Sequence, residues 1–546
     1  MAINRTPEDE QLLRTATKLR NECSYGQAQR LLKARITQGL TIDNPTGLTL
    51  LAEIAGLLID IGSEGHNEQA ITDGLALLEN NRQRLEGFLT AASIDYNLGN
   101  AKSALADLRT PNLFETPGLA DHDLLLAAKN HYWKALKAHG RKDHFAHQLR
   151  TNLANALRKS GRITEALTAY DEIINDDPAF IMAHFHRGLA LLVFERLSRT
   201  RTPNLLRQAL AEYELTAQAT DARPAVRDVA ITMRDRITKQ LDDHGYNTKK
   251  IRTETNIGKS EAAKHSPYRQ FTLHHHLALC EHSLYCHCNG ARRDDLMIAT
   301  SANTVTGDRV PRLELILNRL KAEFGTARLL YHQATNDDSW DLHEHEITFT
   351  ELFEGEHVST RIELLRTSFR LCLGILDKIA LGICELYNVA DPSEKLYFEN
   401  FWQPPTRKGK ASTRWNSLCA KSTNPSLVAL YSQATDVRSD GEWTLFKTWR
   451  NDLEHRFLIL TEETTPPDIF KARQGTFDTR CITIKEFTQR TLHLLQFTRS
   501  AIFNFTYCAR NETASADDGK RITLTLQHKN REAAPRNPRP HKNRES

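Results

Sequence analysis

The sequence predicts an all-α protein in two parts, an N-terminal solenoid of helix pairs followed by a helical bundle. Three observations predict it. Apolar residues recur at spacings of three and four along most of the 546-residue chain, as they do when a helix buries one face. In the first half this pattern is cut at short intervals by turn residues, as stacked helix pairs require, whereas in the second it runs unbroken for much longer. Between the halves Lys, Thr, Ser and Asn replace the apolar period from Asn247 to Pro267, and a linker is expected there. The expected organisation is a repeat domain over 1–245, a linker over 246–267, a helical domain over 268–512 with its bundle core at 311–512, and a tail over 513–546.

The clearest helix pair runs from His147 to Pro178. Leu153, Ala154 and Leu157 mark the first helix, Gly161 the turn, and Ala166, Tyr170 and Ile173 the second. Small residues at Ala154 and Ala166 allow close approach, and Pro178 stops the second helix. This unit resembles a tetratricopeptide repeat. Ala183, Gly188, Leu191, Ala209 and Tyr213 form a second unit after an insertion around Ser198 to Asn204, and Leu51 to Leu78 and Thr90 to Leu108 read as more degenerate pairs. A pair cannot bury its own apolar face, so neighbours must stack. Such a surface takes a protein or peptide whose identity the sequence does not carry.

The bundle helices are expected at Leu313 to Tyr331, Val358 to Tyr387, a short piece at Leu427 to Tyr431, Glu442 to Leu460, and Ile484 to Tyr507. Four or five such helices close a bundle. A loop from Asp391 to about Thr423, broken by Pro404 and Pro405, carries Arg407, Lys408, Lys410 and Arg414 as candidate RNA contacts.

Composition narrows the setting. The formal charge of +4 is near balance, but residues 519–546 hold eight Lys or Arg against two Glu. A basic tail of this kind is expected to be disordered and to attract polyanions weakly. Met1 to Gly26 is dense in charge without an apolar h-region, and no uninterrupted apolar run reaches bilayer length. No membrane association and a cytoplasmic setting are expected. Nine cysteines, without a compact framework, fit reduced thiols. The stretch holding His274, His275, His276, Cys280, His282, Cys286, His287 and Cys288 invites a zinc reading, yet it has no Cys-x-x-Cys pair and no matching second half. Ordinary thiols and surface histidines are expected, with no metal or other cofactor.

One constellation carries chemistry. Arg450-Asn451-Asp452-Leu453-Glu454-His455 pairs a permanent cation with an imidazole able to move a proton near neutral pH. The spacing alone is weak, since Arg269 and His274 share it, as do Arg536 and His541. Only the copy at 450–455 lies in a strong helical period, through Phe446, Trp449, Leu453, Phe457 and Leu460. Two geometries are open. If Asn451 caps a helix, Glu454 completes a capping box and His455 sits in the first turn, where the helix dipole disfavours its protonation. On one continuous helix from Glu442 to Leu460, five residues instead leave Arg450 and His455 about 140° apart around the axis. Carboxylate dyads, a Ser-His-Asp arrangement and a phosphate-binding glycine loop do not stand out.

On this motif, and on the stretches Leu320 to Arg328, Thr367 to Arg370 and Asp377 to Ala380, residues 262–512 resemble the HEPN superfamily, in the branch that carries tetratricopeptide-like repeats ahead of the domain. The resemblance implies metal-independent RNA cleavage to 2′,3′-cyclic phosphate and 5′-hydroxyl ends, with Arg450, Asn451 and His455 catalytic, a homodimer pooling two motifs, and a toxin or antiviral-defence setting. His455 would take the 2′-hydroxyl proton directly or through water, Arg450 would stabilise phosphorane charge, and Asn451 would orient one of them or hold a phosphate oxygen. The solenoid would regulate or aim the cleavage. The competing reading is a non-catalytic interaction or nucleotide-binding module, with Arg450 and Glu454 a surface ion pair.

Overall fold

A computed structural model describes residues 6–40, 42–110, 122–199, 202–246, 261–298, 312–337, 356–389, 395–402, 414, 417–418, 423–438, 441–462 and 479–515. Among the described residues the protein is all-α apart from one short pair of strands. The solenoid comprises α1 (Pro7–Asn21), α2 (Tyr25–Thr37), α3 (Pro45–Glu64), α4 (Glu68–Asn80), α5 (Arg82–Leu85), α6 (Ala91–Arg109), α7 (Asp123–His139), α8 (His144–Lys159), α9 (Ile163–Asp176), α10 (Ile181–Ser198), α11 (Pro203–Gln218) and α12 (Pro224–Asp243). Several of its helices begin where short polar side chains satisfy open backbone donors. Asn44, Asn67 and Asp143 accept the N–H groups of Gly47, Ala70 and Ala146.

Consecutive helices pack as pairs, and the pair at α8 and α9 follows the sequence reading, with Ala154, Ala166, Tyr170 and Ile173 buried at its centre. Gly161 makes the turn at φ +78°, and a Cβ there would lie 2.5 Å from the Pro425 carbonyl oxygen. Thr90 to Leu108, by contrast, is not a pair. It is the single helix α6, whose partner is α7. Gly99 lies mid-helix because the Tyr132 ring of α7 would stand 2.7 Å from any Cβ there. A glycine within an apolar period thus marks a close approach rather than a turn. Among the described residues α3 alone has the length and hydropathy to cross a bilayer, although Glu53 and Asp60 interrupt it. Most of its apolar window is buried against the rest of the chain.

Beyond α13 (Pro267–His274) and two 3-10 turns at His282–Leu284 and Asn289–Ala291, the bundle consists of α14 (Arg312–Asn336), α15 (Thr360–Tyr387), α16 (Pro425–Val437), α17 (Thr444–His455) and α18 (Ile484–Ser515). Phe369 of α15 sits at its centre, in ring contact with Phe446 and Trp449 of α17 and Phe487 of α18. The predicted helix to Leu460 ends early. Phe457–Thr461 is strand β1, paired in parallel with β2 (Thr479–Thr483). A short apolar run such as Phe457-Leu458-Ile459-Leu460 fits either period, and its partner lies far along the chain.

One apolar core runs from Leu126 in α7 to Ala509 in α18 and so joins solenoid and bundle. α16 lies in this joint, with nearly all of its side chains buried. Buried charges meet there too. Asp436 of α16 receives both Lys129 of α7 and Arg162 at the start of α9. Arg162 also pairs with Glu165, which accepts Gln433 at 2.8 Å and Ser500 at 2.7 Å. Burial would raise the Asp436 carboxyl, but Arg162 and Lys129 hold it below the usual range.

Candidate functional site around the Arg-x4-His motif

The sequence of α17 places Phe446 and Trp449 inward and leaves Lys447, Asn451, Glu454 and His455 outward. Arg450 lies between the two faces. Its Nη1 is 3.0 Å from Asp377 Oδ2 on α15, and its guanidinium lies 5.9 Å from the centre of the Tyr397 ring. Asp377 also accepts the Phe398 N–H at 3.0 Å. Burial pushes the Asp377 carboxyl up, against the lowering by that N–H and by Arg450. Asp452 is buried and takes Arg480 of β2 at 2.7 Å. Arg370 of α15 holds the far end of the helix, donating to the Leu453 carbonyl at 3.1 Å and meeting Glu454 at 3.2 Å.

The capped geometry does not occur. Asn451 lies inside α17 and His455 is its last residue, so the positive pole of the helix is at the opposite end, beside Thr444. Glu454 supports no cap and pairs with Arg370. The surface pair expected of Arg450 and Glu454 gives way to two separate ones, each residue meeting its partner on α15. The continuous-helix geometry does hold from 450 to 455. Arg450 and His455 therefore point about 140° apart.

Of the candidate RNA contacts, Arg414 is buried and donates to the carbonyls of Val389 at 3.0 Å and Phe401 at 2.9 Å. It braces the loop from within and is not exposed to RNA. Arg407, Lys408 and Lys410 lie outside the described residues. The rival copy at Arg269 is structural, its guanidinium bonded to the Ala291 carbonyl and to Asp294.

α17 is the fourth helix of the bundle, and Arg370 and Asp377, which meet its Glu454 and Arg450, both come from α15. Residues 304–512 match the family model of the LA2681-like HEPN domain. This part of the chain is a HEPN domain. No curated protein and no solved structure matches the chain. Within the HEPN domain, the stretches that carry the resemblance also hold the motif in place. Asp377 meets Arg450, Arg370 meets Leu453 and Glu454, and Lys378 ties α15 to Glu323 of α14 at 2.9 Å. Sequence reasoning does not assign Asp377, Tyr397, Asp452 or Arg480 to the site. The signal available for Asp377 is a lone carboxylate within the otherwise apolar stripe of α15.

Proposed function

We propose that this protein is a HEPN-type endoribonuclease that cleaves RNA without a catalytic metal. The observation that carries the reading is the placement of the motif in the HEPN domain. His455 and Asn451 are exposed at the outer end of α17, while Arg450 is aimed by Asp377 and Tyr397. His455 accepts the proton of a 2′-hydroxyl, whose oxygen attacks the adjacent phosphorus. Arg450 faces the charge that builds on the non-bridging oxygens, and the 5′-oxygen leaves with a proton from the solvent side. Asn451 orients the phosphate. The products are a 2′,3′-cyclic phosphate and a 5′-hydroxyl.

Arg450 and His455 diverge on one helix, so each complete site takes Arg450 from one copy and His455 from another in a homodimer. A 1:1 mixture of Arg450→Ala and His455→Ala chains should then recover about a quarter of wild-type activity, because half the dimers are mixed and each holds one intact site of two. No recovery with exchange of subunits demonstrated would sink the shared site. The solenoid, read as tetratricopeptide-like, presents a peptide- or protein-binding surface that regulates or aims the cleavage, in keeping with a toxin or defence role.

End-group analysis tests the chemistry. An RNA with a single 2′-deoxy substitution at the cleaved position should resist, and the products of the unmodified RNA should carry the cyclic phosphate. Products with 5′-phosphate and 3′-hydroxyl ends would contradict the reading.

A further inference from the structure

The connector between α13 and α14 brings together residues that their spacing does not advertise. His282 opens a 3-10 turn over His282–Leu284, and the chain then doubles back so that Cys286 and Cys288 return to the same point. The ligand atoms of His282, Cys286 and Cys288 all lie within 4.8 Å of one another. His282 Nε2 is 2.9 Å from Cys288 Sγ. On the other side of the ring, the Tyr285 hydroxyl stands 2.9 Å from His282 Nδ1. The Cys288 N–H donates to the Cys286 sulfur at 3.4 Å.

We propose that His282, Cys286 and Cys288 bind a zinc ion. Two thiolates and an imidazole form a donor set suited to zinc, which favours tetrahedral sulfur and nitrogen coordination. With bond lengths of about 2.0 to 2.3 Å, the ligand atoms of such an ion stand about 3.5 to 3.8 Å apart, within the span seen here. The surrounding contacts are those a metal site needs. With the Tyr285 hydroxyl accepting the Nδ1–H, the Nε2 lone pair is free to face the sulfurs. The N–H donated to Cys286 stabilises a thiolate there. Three protein ligands leave the fourth position to water. The Cys280 thiol is not in the cluster.

The place of the site gives the ion a structural role. Tyr285 meets Phe194 of α10 with ring centres 6.4 Å apart. Glu281, next to His282, receives Arg510 of α18 at 2.7 Å. An ion here rivets the connector where solenoid and bundle meet.

Metal analysis of the full-length chain, purified without chelator, tests this. The expected result is about one zinc per chain, lost in a Cys286→Ser, Cys288→Ser double variant and kept in a Cys280→Ser control. Because the double variant could misfold, the metal-free wild-type chain is also titrated with Co2+. A thiolate-to-cobalt charge-transfer band and tetrahedral d–d bands saturating at about one equivalent are expected. A wild-type chain that carries no stoichiometric zinc and gives no such cobalt spectrum would overturn the proposal. Equal zinc in wild type and the double variant would overturn it as well.

Discussion

At the scale of single residues, the motif depends on partners that lie far from it in sequence. The helical register of Phe446 and Trp449 is legible, and with it the inward face of α17 and the divergence of Arg450 from His455. Asp377, the partner of Arg450, is not legible as such, because a carboxylate 73 positions away gains meaning only when α15 and α17 cross. Arg414 shows the reverse case. In sequence it reads as one more cation on a basic loop, whereas its burial against two carbonyls is a property of the folded chain. If Asp377 aims Arg450, Asp377→Asn should keep the Phe398 contact through the amide oxygen but lose the charge. RNA cleavage should then fall by about 10² with the helical spectrum intact, the scale of loss that follows from displacing a catalytic group by about 1 Å. Cleavage at the wild-type rate would show that Arg450 needs no such support.

At the scale of elements, long helices with an unbroken period are legible and short elements that need a distant partner are not. α15 and α18 lie where their stripes of Leu, Ile and Phe put them. β1 reads as helix in sequence, because only pairing with Arg480, Cys481 and Ile482 decides its state. The segment after α13 offers no period, since polar bonds hold it instead. Asp294 receives Arg269 and Arg328 at 2.8 and 2.7 Å, and also accepts the Leu279 N–H. Burial would raise this carboxyl, yet Arg328 and Arg269 hold it down at about 2. A depressed carboxylate contributes stability that is fully present above the unfolded value and lost as the pH falls toward the folded one. Here about 2 to 3 kcal/mol should be present above about pH 4 and lost toward pH 2. Acid unfolding followed by circular dichroism should show Asp294→Asn less stable at neutral pH and closer to wild type at the acid end. A constant difference across that window would contradict the linkage.

At the scale of the whole molecule, solenoid and bundle share their core. A polar linker between the two is visible in the sequence, but it carries no information about how the parts meet. Helix α16 is buried from both sides, and the charges of Lys129, Arg162 and Asp436 are shut into the joint. Replacing Asp436 by Asn would take from the buried Lys129 and Arg162 the carboxylate that pairs with both, leaving Arg162 with Glu165. Removing one partner of a buried ion pair costs about 3 to 5 kcal/mol. The melting temperature of Asp436→Asn should therefore drop sharply, in a transition that includes both parts. An unchanged melting temperature would show that the joint is held by its apolar contacts alone. The Trp443 N–H, just before α17, donates to the Asp436 carbonyl at 2.7 Å and so ties this joint to the motif helix.

The exposed imidazole of His455 at the end of α17 is the proposed base of RNA cleavage. The most direct test compares single-turnover cleavage by wild type and His455→Ala in EDTA, with circular dichroism confirming that both remain folded. Loss of a general base should lower the rate by about 10² to 10⁴. Equal rates for the two folded proteins, or no cleavage of RNA by the wild type, would contradict the account.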